Sequence, residues 1–126
     1  MKKVALRYLV WLLPLGWAGF IFYLSAQSIP IPFEIEPPWL WLGMSKLGHL
    51  VIFGILAFFI VLAAGRRRYG YLIAFIVVVA YASLDEFHQA FTPGRDPSPV
   101  DVIIDGTGAL LALALSYVTF RNKRGT

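Results

Sequence analysis

The sequence predicts an all-α membrane protein with four transmembrane helices, both termini in the cytoplasm and a polar pocket near the outer face. Hydrophobic residues make up 59% of the 126-residue chain, above the roughly 45–50% of a typical soluble domain. They form four long runs, each close to the about 20 residues that cross a hydrocarbon core. The segments that flank these runs differ in the sign of their charge, and this difference predicts the orientation.

Basic residues concentrate in three segments without acids: the N-terminus, the connection between the second and third runs, and the C-terminus. All seven acids lie in or beside the other two connections, where the positive residues are Lys46 and Arg95. Because cytoplasmic segments carry an excess of Lys and Arg, the acid-free segments are predicted to be cytoplasmic. Their basic residues are Lys2, Lys3, Arg7, Arg66, Arg67, Arg68, Arg121, Lys123 and Arg124, and the acids are Glu34, Glu36, Asp85, Glu86, Asp96, Asp101 and Asp105.

The first predicted helix covers about residues 8–24 and follows a basic start. A secretory signal needs a small residue shortly before its cleavage site. Cleavage at Ala26 would place bulky Leu24 there, so an uncleaved anchor is predicted. Pro14 predicts a kink, because proline lacks the N–H that a helix interior needs. The connection that follows, Ser25 to Ser45, contains four prolines and is predicted to lie along the membrane surface.

The second and third predicted helices cover about residues 47–64 and 71–90, and the short basic turn between them makes an antiparallel hairpin. The fourth covers about residues 100–120 and follows a loop that three prolines and a glycine stiffen. Ser98 is placed as its N-cap, with Asp101 at the capping-box position. Capping is the simplest interpretation of Asp101 taken alone.

The charge and the cysteine content of the chain exclude several classes of function. The net charge of +4 and a pI near 9.6 would suit a nucleic-acid binder, but basic residues at the ends of apolar runs are explained by orientation and by anionic lipid headgroups. The chain contains no cysteine, which excludes a disulfide framework, a thiolate nucleophile and a cysteine-ligated metal. The predicted partner is therefore the lipid bilayer and not nucleic acid.

Charged and amide side chains cluster at the predicted outer ends of the helices. Several are three, four or seven residues apart, which places them on one helix face. At a rise of 1.5 Å per residue, all lie in the outer third of the bilayer or just above it, so they can converge on one pocket. The group consists of Lys46 and His49 on the second helix, Asp85, Glu86 and Gln89 on the third, Arg95 in the loop, and Asp101, Asp105 and Gly108 on the fourth.

Some members of this group also have purely structural interpretations. Lys46 can extend to the interface, His49 can hydrogen-bond between helices, and Gly108 can serve helix packing alone. Acids inside spanning helices are harder to explain, because each costs about 2.5–3.5 kcal/mol on the insertion scale and such residues usually face a bundle interior or a water-filled cavity. We therefore expect the acids of the group to share a functional pocket.

Fragments of this group resemble the signature of VanZ-like membrane proteins, in one consistent order. Phe53 and Asp105 depart from the pattern, in which tyrosine and asparagine are common. The resemblance implies a small multi-helix bacterial membrane protein, in a family with some members linked to low-level resistance to teicoplanin-type glycopeptides. The matching fragments are Ser25-x-Gln27, Lys46-x-x-His49, Asp85-Glu86-x-x-Gln89, Pro93-Gly94-Arg95 and Asp101-x-x-x-Asp105-x-x-Gly108.

Three functions from different classes fit such a pocket. The favoured one is non-catalytic binding of an anionic or lipid-linked envelope component, or of a cell-wall antibiotic, with Arg95 gripping a phosphate or carboxylate. The second is an intramembrane enzyme acting on a lipid-linked substrate, with His49, Asp85 or Glu86 as general base and a metal held by His49 with the acids. The third is a proton-coupled transporter, for which a four-helix chain would act as a homodimer.

Binding is favoured because the sequence lacks an HExxH motif, a glycine-rich phosphate loop and a serine elbow. We therefore predict one membrane domain over residues 1–126 in the bacterial plasma membrane, with no cofactor and no resident metal. The residues predicted to bind the ligand are Lys46, His49, Asp85, Glu86, Gln89, Arg95, Asp101 and Asp105.

Overall fold

The structure, a computed structural model, describes residues 7–27 and 38–122. No strand occurs in these two ranges, and four helices in them are long and apolar enough to cross a membrane. The all-helical architecture with four candidate spans is therefore confirmed. The helices are α1 (Leu12–Ala26), α2 (Pro38–Ala64), α3 (Arg68–Gln89) and α4 (Pro99–Asn122).

The four helices alternate in direction, so the bundle has two chemically different ends. At one end, which we call the basic end, α2 passes into α3 through Gly65–Arg67, and the Arg66 guanidinium lies 4.3 Å from the centroid of the Phe120 ring near the end of α4. The hairpin predicted from the basic turn is thereby confirmed. At the opposite end, which we call the polar end, α1 and α3 end and α2 and α4 begin.

Helix α2 begins at Pro38, nine residues before the predicted start at residue 47. The sequence predicted a connection between helices as far as Ser45, and this prediction was wrong over residues 38–45, which belong to α2. Proline is well tolerated in the first turn of a helix, and after Pro38 the segment contains no further proline. Gly43 alone does not end a helix, since glycine costs only about 1 kcal/mol there. The rest of the connection falls mostly outside the described residues.

The chain around Pro14 departs from a continuous helix as predicted. Residues 7–9 are helical, Val10 and Trp11 form a turn, and α1 then begins at Leu12. The break lies up to four residues before Pro14, where the proline ring would collide with the carbonyl group of a regular helix. Pro14 itself is buried in the first turn of α1.

Close backbone contact holds α2 against α4. A Cβ atom at position 108 would overlap the carbonyl oxygen of Leu50, and one at position 54 would lie 3.1 Å from the carbonyl oxygen of Gly108. Small residues allow such approach between membrane helices. Gly108 therefore has the packing role that the sequence offered as its structural interpretation.

Helix α1 is fixed to the bundle by two side chains that bond backbone carbonyls. Trp17 Nε1 donates to the carbonyl oxygen of Ile52 at 2.9 Å, and the Tyr81 hydroxyl donates to that of Ala18 at 2.6 Å. Below these contacts the core is apolar. It contains Phe53, Leu56, Ile60, Val61, Ala74, Val78 and Leu113.

Candidate functional site

Two polar pairs join α2 to α4 at the polar end of the bundle. Lys46 Nζ donates to Asp101 Oδ1, and His49 Nδ1 lies 3.1 Å from Asp105 Oδ1. Both helices run in the same direction, so pairs one turn apart on α2 match pairs one turn apart on α4. We call these four residues the α2–α4 pairs. The helical spacing in the sequence thus correctly placed each set on one face.

Glu86 caps the N-terminus of α4, a role that the sequence did not predict. Its Oε2 accepts a hydrogen bond of 2.7 Å from the backbone N–H of Ser98, the group that a capping box would assign to Asp101. Ser98 Oγ does accept from the N–H of Val100, at 3.3 Å, as an N-cap residue should. The capping-box assignment of Asp101 is therefore wrong, because Asp101 pairs with Lys46 while Glu86 reaches Ser98 from α3.

Asp85 and Gln89 form a buried contact at the end of α3 that reaches α1. Gln89 Nε2 lies 3.0 Å from Asp85 Oδ2 and 3.2 Å from Ser25 Oγ, and it donates to both oxygens. The other oxygen of Asp85, Oδ1, is buried and has no hydrogen-bond partner among the described residues. A buried acceptor in this state costs about 1–3 kcal/mol.

Arg95 bonds the end of α1 instead of pairing with an acid. Its Nη2 donates to the carbonyl oxygen of Leu24 at 2.9 Å, and its Nε donates to that of Gln27 at 3.2 Å. Leu24 lies in the last turn of α1, where its carbonyl oxygen also accepts the backbone N–H of Gln27 at 3.2 Å, and Gln27 is the C-cap residue. Among the described residues Arg95 forms no ion pair. Nη1 makes no hydrogen bond within the same part of the chain.

A cavity of about 420 Å³ opens between α1, α2 and α3 at the polar end. We call it the α1 cavity. Its lining includes four charged or polar side chains, His49, Asp85, Gln89 and Arg95, and five apolar ones, Ile21, Leu24, Met44, Ile52 and Phe53. Its remaining lining residues are Ser25, Gln27, Ser45 and Gly48.

The predicted site residues therefore fall into two neighbouring groups. His49, Asp85, Gln89 and Arg95 line the α1 cavity, whereas Lys46, Glu86, Asp101 and Asp105 lie outside its lining, nearer α4. His49 belongs to both groups, since it lines the cavity and contacts Asp105. The polar lining residues Gln27 and Ser45 were not among the predicted ligand-binding residues, and neither was Ser25. Their only sequence signals were the short Ser25-x-Gln27 motif and the position of Ser45 beside Lys46.

Three ionisable side chains approach one another between α2, α3 and α4. His49, Glu86 and Asp105 each present a possible ligand atom, and these atoms lie within 4.8 Å of one another. Glu86 Oε1 and Asp105 Oδ2 are buried without a hydrogen-bond partner among the described residues. The arrangement provides one nitrogen and two carboxylate donors, a set that several divalent metals accept.

The other histidine lies apart from this group. His88 stacks on Phe22 with ring centroids 4.4 Å apart. A second groove, of about 510 Å³, lies between α2 and α4, and its lining contains no charged residue among those described. It includes Leu50, Gly54, Phe58, Leu111, Ala112 and Leu115. The polar chemistry of the described residues is therefore concentrated at the α1 cavity and the α2–α4 pairs.

Comparison with known families agrees with the resemblance seen in the motifs. A family model described as VanZ/LLP1 matches residues 8–121, nearly the whole chain. No curated protein and no solved structure gives a significant match.

Proposed function

Because the chain belongs to the VanZ/LLP1 family, we propose that it is a bacterial plasma-membrane protein that binds an anionic, lipid-linked component of the cell envelope without converting it. The observation that carries this proposal is the mixed lining of the α1 cavity, which combines apolar side chains with charged and amide side chains. A lipid-linked envelope component has two corresponding parts, a hydrocarbon chain and a polar head. The cavity lies at the end of the bundle, where a lipid chain can remain in the bilayer.

Arg95 is the residue that we assign to the anionic group of the ligand. Its two hydrogen bonds to Leu24 and Gln27 fix the guanidinium plane at the cavity wall. A guanidinium held in this way can bind phosphate or carboxylate with its remaining N–H groups, and charge-assisted bonds of this kind are about twice as strong as neutral ones. The carbonyl groups of α1 thus orient this cation.

Asp85 suggests that the ligand also carries hydrogen-bond donors. Its Oδ1 is buried beside the cavity and has no hydrogen-bond partner among the described residues, so a sugar hydroxyl or a peptide N–H would satisfy this acceptor. Gln89 holds the other oxygen of Asp85 in place. A ligand with an anionic group and several donors matches a lipid-linked sugar or a glycopeptide better than a simple phospholipid.

The orientation of the chain supports binding at the outer face. Arg66, Arg67, Arg68 and Arg121 lie at the basic end of the bundle, where α2, α3 and α4 meet. By the positive-inside rule this end is cytoplasmic, which would place the α1 cavity at the outer face, and both termini inside.

An intramembrane enzyme is the second candidate, and the approach of His49, Glu86 and Asp105 within 4.8 Å favours it. Binding and conversion differ in the fate of the ligand, so one experiment can separate them. A transporter is less well supported by the geometry, because the buried residues below the polar end are almost all apolar in the described part of the bundle.

Equilibrium binding to purified protein in nanodiscs tests the proposal. The probes are a polyprenyl phosphate, a polyprenyl diphosphate sugar and the neutral polyprenol of equal length, each detected by native mass spectrometry. We expect saturable binding of the two anionic lipids, a weak signal for the neutral one, and recovery of the bound lipid at its original mass. Equal binding of all three lipids would contradict the proposal, and release of phosphate or sugar would establish the enzyme instead.

Substitutions at Arg95 test whether the lipid binds in the α1 cavity. Arg95→Ala should weaken binding of the anionic lipids about tenfold to a hundredfold, since a charge-assisted bond contributes about 1.5–3 kcal/mol. Arg95→Lys keeps the charge and should give an intermediate loss. Asp96→Asn, at the exposed neighbouring position, is the matched control and should bind as the parent does.

A contribution to glycopeptide resistance is a separate part of the proposal. Expression in a susceptible host should raise the inhibitory concentration of teicoplanin, and the Arg95 and Asp85 variants should lose this protection at equal membrane abundance. If the parent protein gives no protection, the link to glycopeptides fails for this chain while lipid binding can still hold.

A further inference from the structure

The three ionisable groups beside the α1 cavity come from three different helices. His49 lies on α2, Glu86 near the end of α3 and Asp105 on α4, and their nearest donor atoms lie within 4.8 Å of one another. Donor atoms that share one zinc ion lie about 3 to 4 Å apart, because each bond measures about 2.0–2.2 Å. Small side-chain rotations would therefore bring the three groups onto a common ion.

Two oxygens of this group lack the partners that buried carboxylates normally have. Asp105 is completely buried, Glu86 is 7% exposed, and each has one oxygen with no hydrogen-bond partner among the described residues. Buried polar atoms in folded proteins are almost always bonded, so such exceptions need an explanation such as a missing ion or water. This observation is independent of the clustering itself.

The balance of charge at the polar end also favours a bound cation. Four buried acids, Asp85, Glu86, Asp101 and Asp105, meet two formal positive charges, on Lys46 and Arg95. Lys46 pairs with Asp101, whereas Glu86 and Asp105 have no lysine or arginine partner among the described residues. With all four acids ionised and His49 neutral, the excess of two negative charges equals the charge of one divalent cation, and uncompensated buried charge is strongly unfavourable.

We propose that His49, Glu86 and Asp105 form a binding site for a divalent transition-metal ion, with Zn²⁺ and Mn²⁺ as the best-matched candidates. An imidazole nitrogen with two carboxylates suits these ions better than Mg²⁺ or Ca²⁺, which prefer oxygen donors alone. His49 also lines the α1 cavity, so the ion would sit at the boundary between the α2–α4 pairs and the cavity. The proposal does not rest on the proposed function, because the ion is measured without any lipid.

Metal content of the purified protein is the first test. Protein freed of its affinity tag and stripped with a chelator is dialysed against Zn²⁺ or Mn²⁺, and bound metal is measured by mass spectrometry. We expect one ion per chain with saturable binding. Absence of saturable binding for both ions would overturn the proposal and leave protonation to neutralise the acids.

Variants then assign the ion to the three residues. His49→Ala, Glu86→Gln and Asp105→Asn should each lower the affinity at least tenfold, whereas His88→Gln and Asp96→Asn should leave it unchanged. Unchanged affinity in all three site variants would overturn the proposal even if the parent binds metal. Monodisperse elution in detergent and an unchanged helical signal show which variants are folded.

A spectroscopic readout avoids dependence on variants that fail to fold. The chain has two histidines, so His49 is the only imidazole in tag-free His88→Gln protein. Spin-echo spectroscopy of Mn²⁺ in this protein should detect coupling to a ligand nitrogen of imidazole type. Bound Mn²⁺ without that coupling would contradict ligation by His49, whatever the behaviour of the other variants.

Discussion

His49 Nδ1 lies 3.1 Å from Asp105 Oδ1, and this contact joins α2 to α4 at the boundary of the α1 cavity. One turn away along both helices, Lys46 pairs with Asp101, and in the other direction the backbone of Leu50 packs against Gly108. Each of the three residues on this face of α4, Asp101, Asp105 and Gly108, therefore contacts α2. The same face of α4 fixes the helix packing and positions the polar groups that we assign to function.

Gly108→Ala should strongly reduce the amount of folded protein. The added methyl group would overlap the carbonyl oxygen of Leu50, and the backbone of α2 cannot yield without separating the two helices. Gly106→Ala in the same helix is the matched control, because its Cβ would meet Val79 Cγ2 at an ordinary 3.7 Å. Folded yield and thermal unfolding in detergent measure the difference. Equal stability of the two variants would contradict the close α2–α4 contact.

Loss of one partner of the Lys46–Asp101 pair should destabilise the bundle. The Lys46 side chain is 29% exposed and that of Asp101 is 10% exposed, so the effect should fall between those of exposed and buried pairs, about 1–3 kcal/mol. Lys46→Met and Asp101→Asn should each lower the free energy of unfolding. The double variant should recover part of the loss, since it leaves no unpaired charge. Strict additivity of the two losses would show that the pair makes no direct contribution.

Asp85→Asn should separate stability from function. The substitution removes a buried carboxylate whose Oδ1 has no partner among the described residues, while the Asn carbonyl can still accept from Gln89. We therefore expect unchanged or higher thermal stability together with about tenfold weaker binding of the sugar-bearing lipid. A parallel fall in stability and binding would instead assign Asp85 a structural role.

Single cysteines can determine the orientation, because the chain contains none of its own. Asp96→Cys at the polar end and Arg67→Cys at the basic end both lie at exposed positions. An impermeant maleimide added to intact cells should label the cysteine at position 96 and should label the one at position 67 only after permeabilisation. The reverse pattern would place the α1 cavity at the cytoplasmic face and would remove the basis for binding an outer-face ligand.

The sequence predicted the features that depend on helical periodicity and composition. Four apolar runs gave the four candidate spans, and the i, i+4 spacing placed Asp101 and Asp105 on one face of α4. These inferences succeed because the period of a helix is fixed by backbone geometry. Pattern alone therefore located the polar end and most of its charged groups.

The sequence did not predict contacts that involve backbone atoms or a choice between partners. Arg95 bonds carbonyl groups at the end of α1, and no sequence pattern marks a carbonyl as an acceptor. Glu86 and Asp101 could each cap α4 or pair elsewhere, and only the packing of α3 beside Ser98 decides that Glu86 does so. The division of the polar residues between the α1 cavity and the α2–α4 pairs follows from these choices.

Photo-crosslinking with a diazirine-bearing polyprenyl phosphate tests the central claim most directly, with the attached peptides identified by mass spectrometry. The account predicts adducts on the segments that line the α1 cavity, residues 21–27 and 44–53, and their loss when unlabelled polyprenyl phosphate is added in excess. Arg95→Ala should reduce these adducts, whereas Asp96→Asn should not. Adducts confined to Leu111, Ala112 and Leu115 in the apolar groove, or spread evenly over the lipid-facing surface, would contradict binding in the α1 cavity.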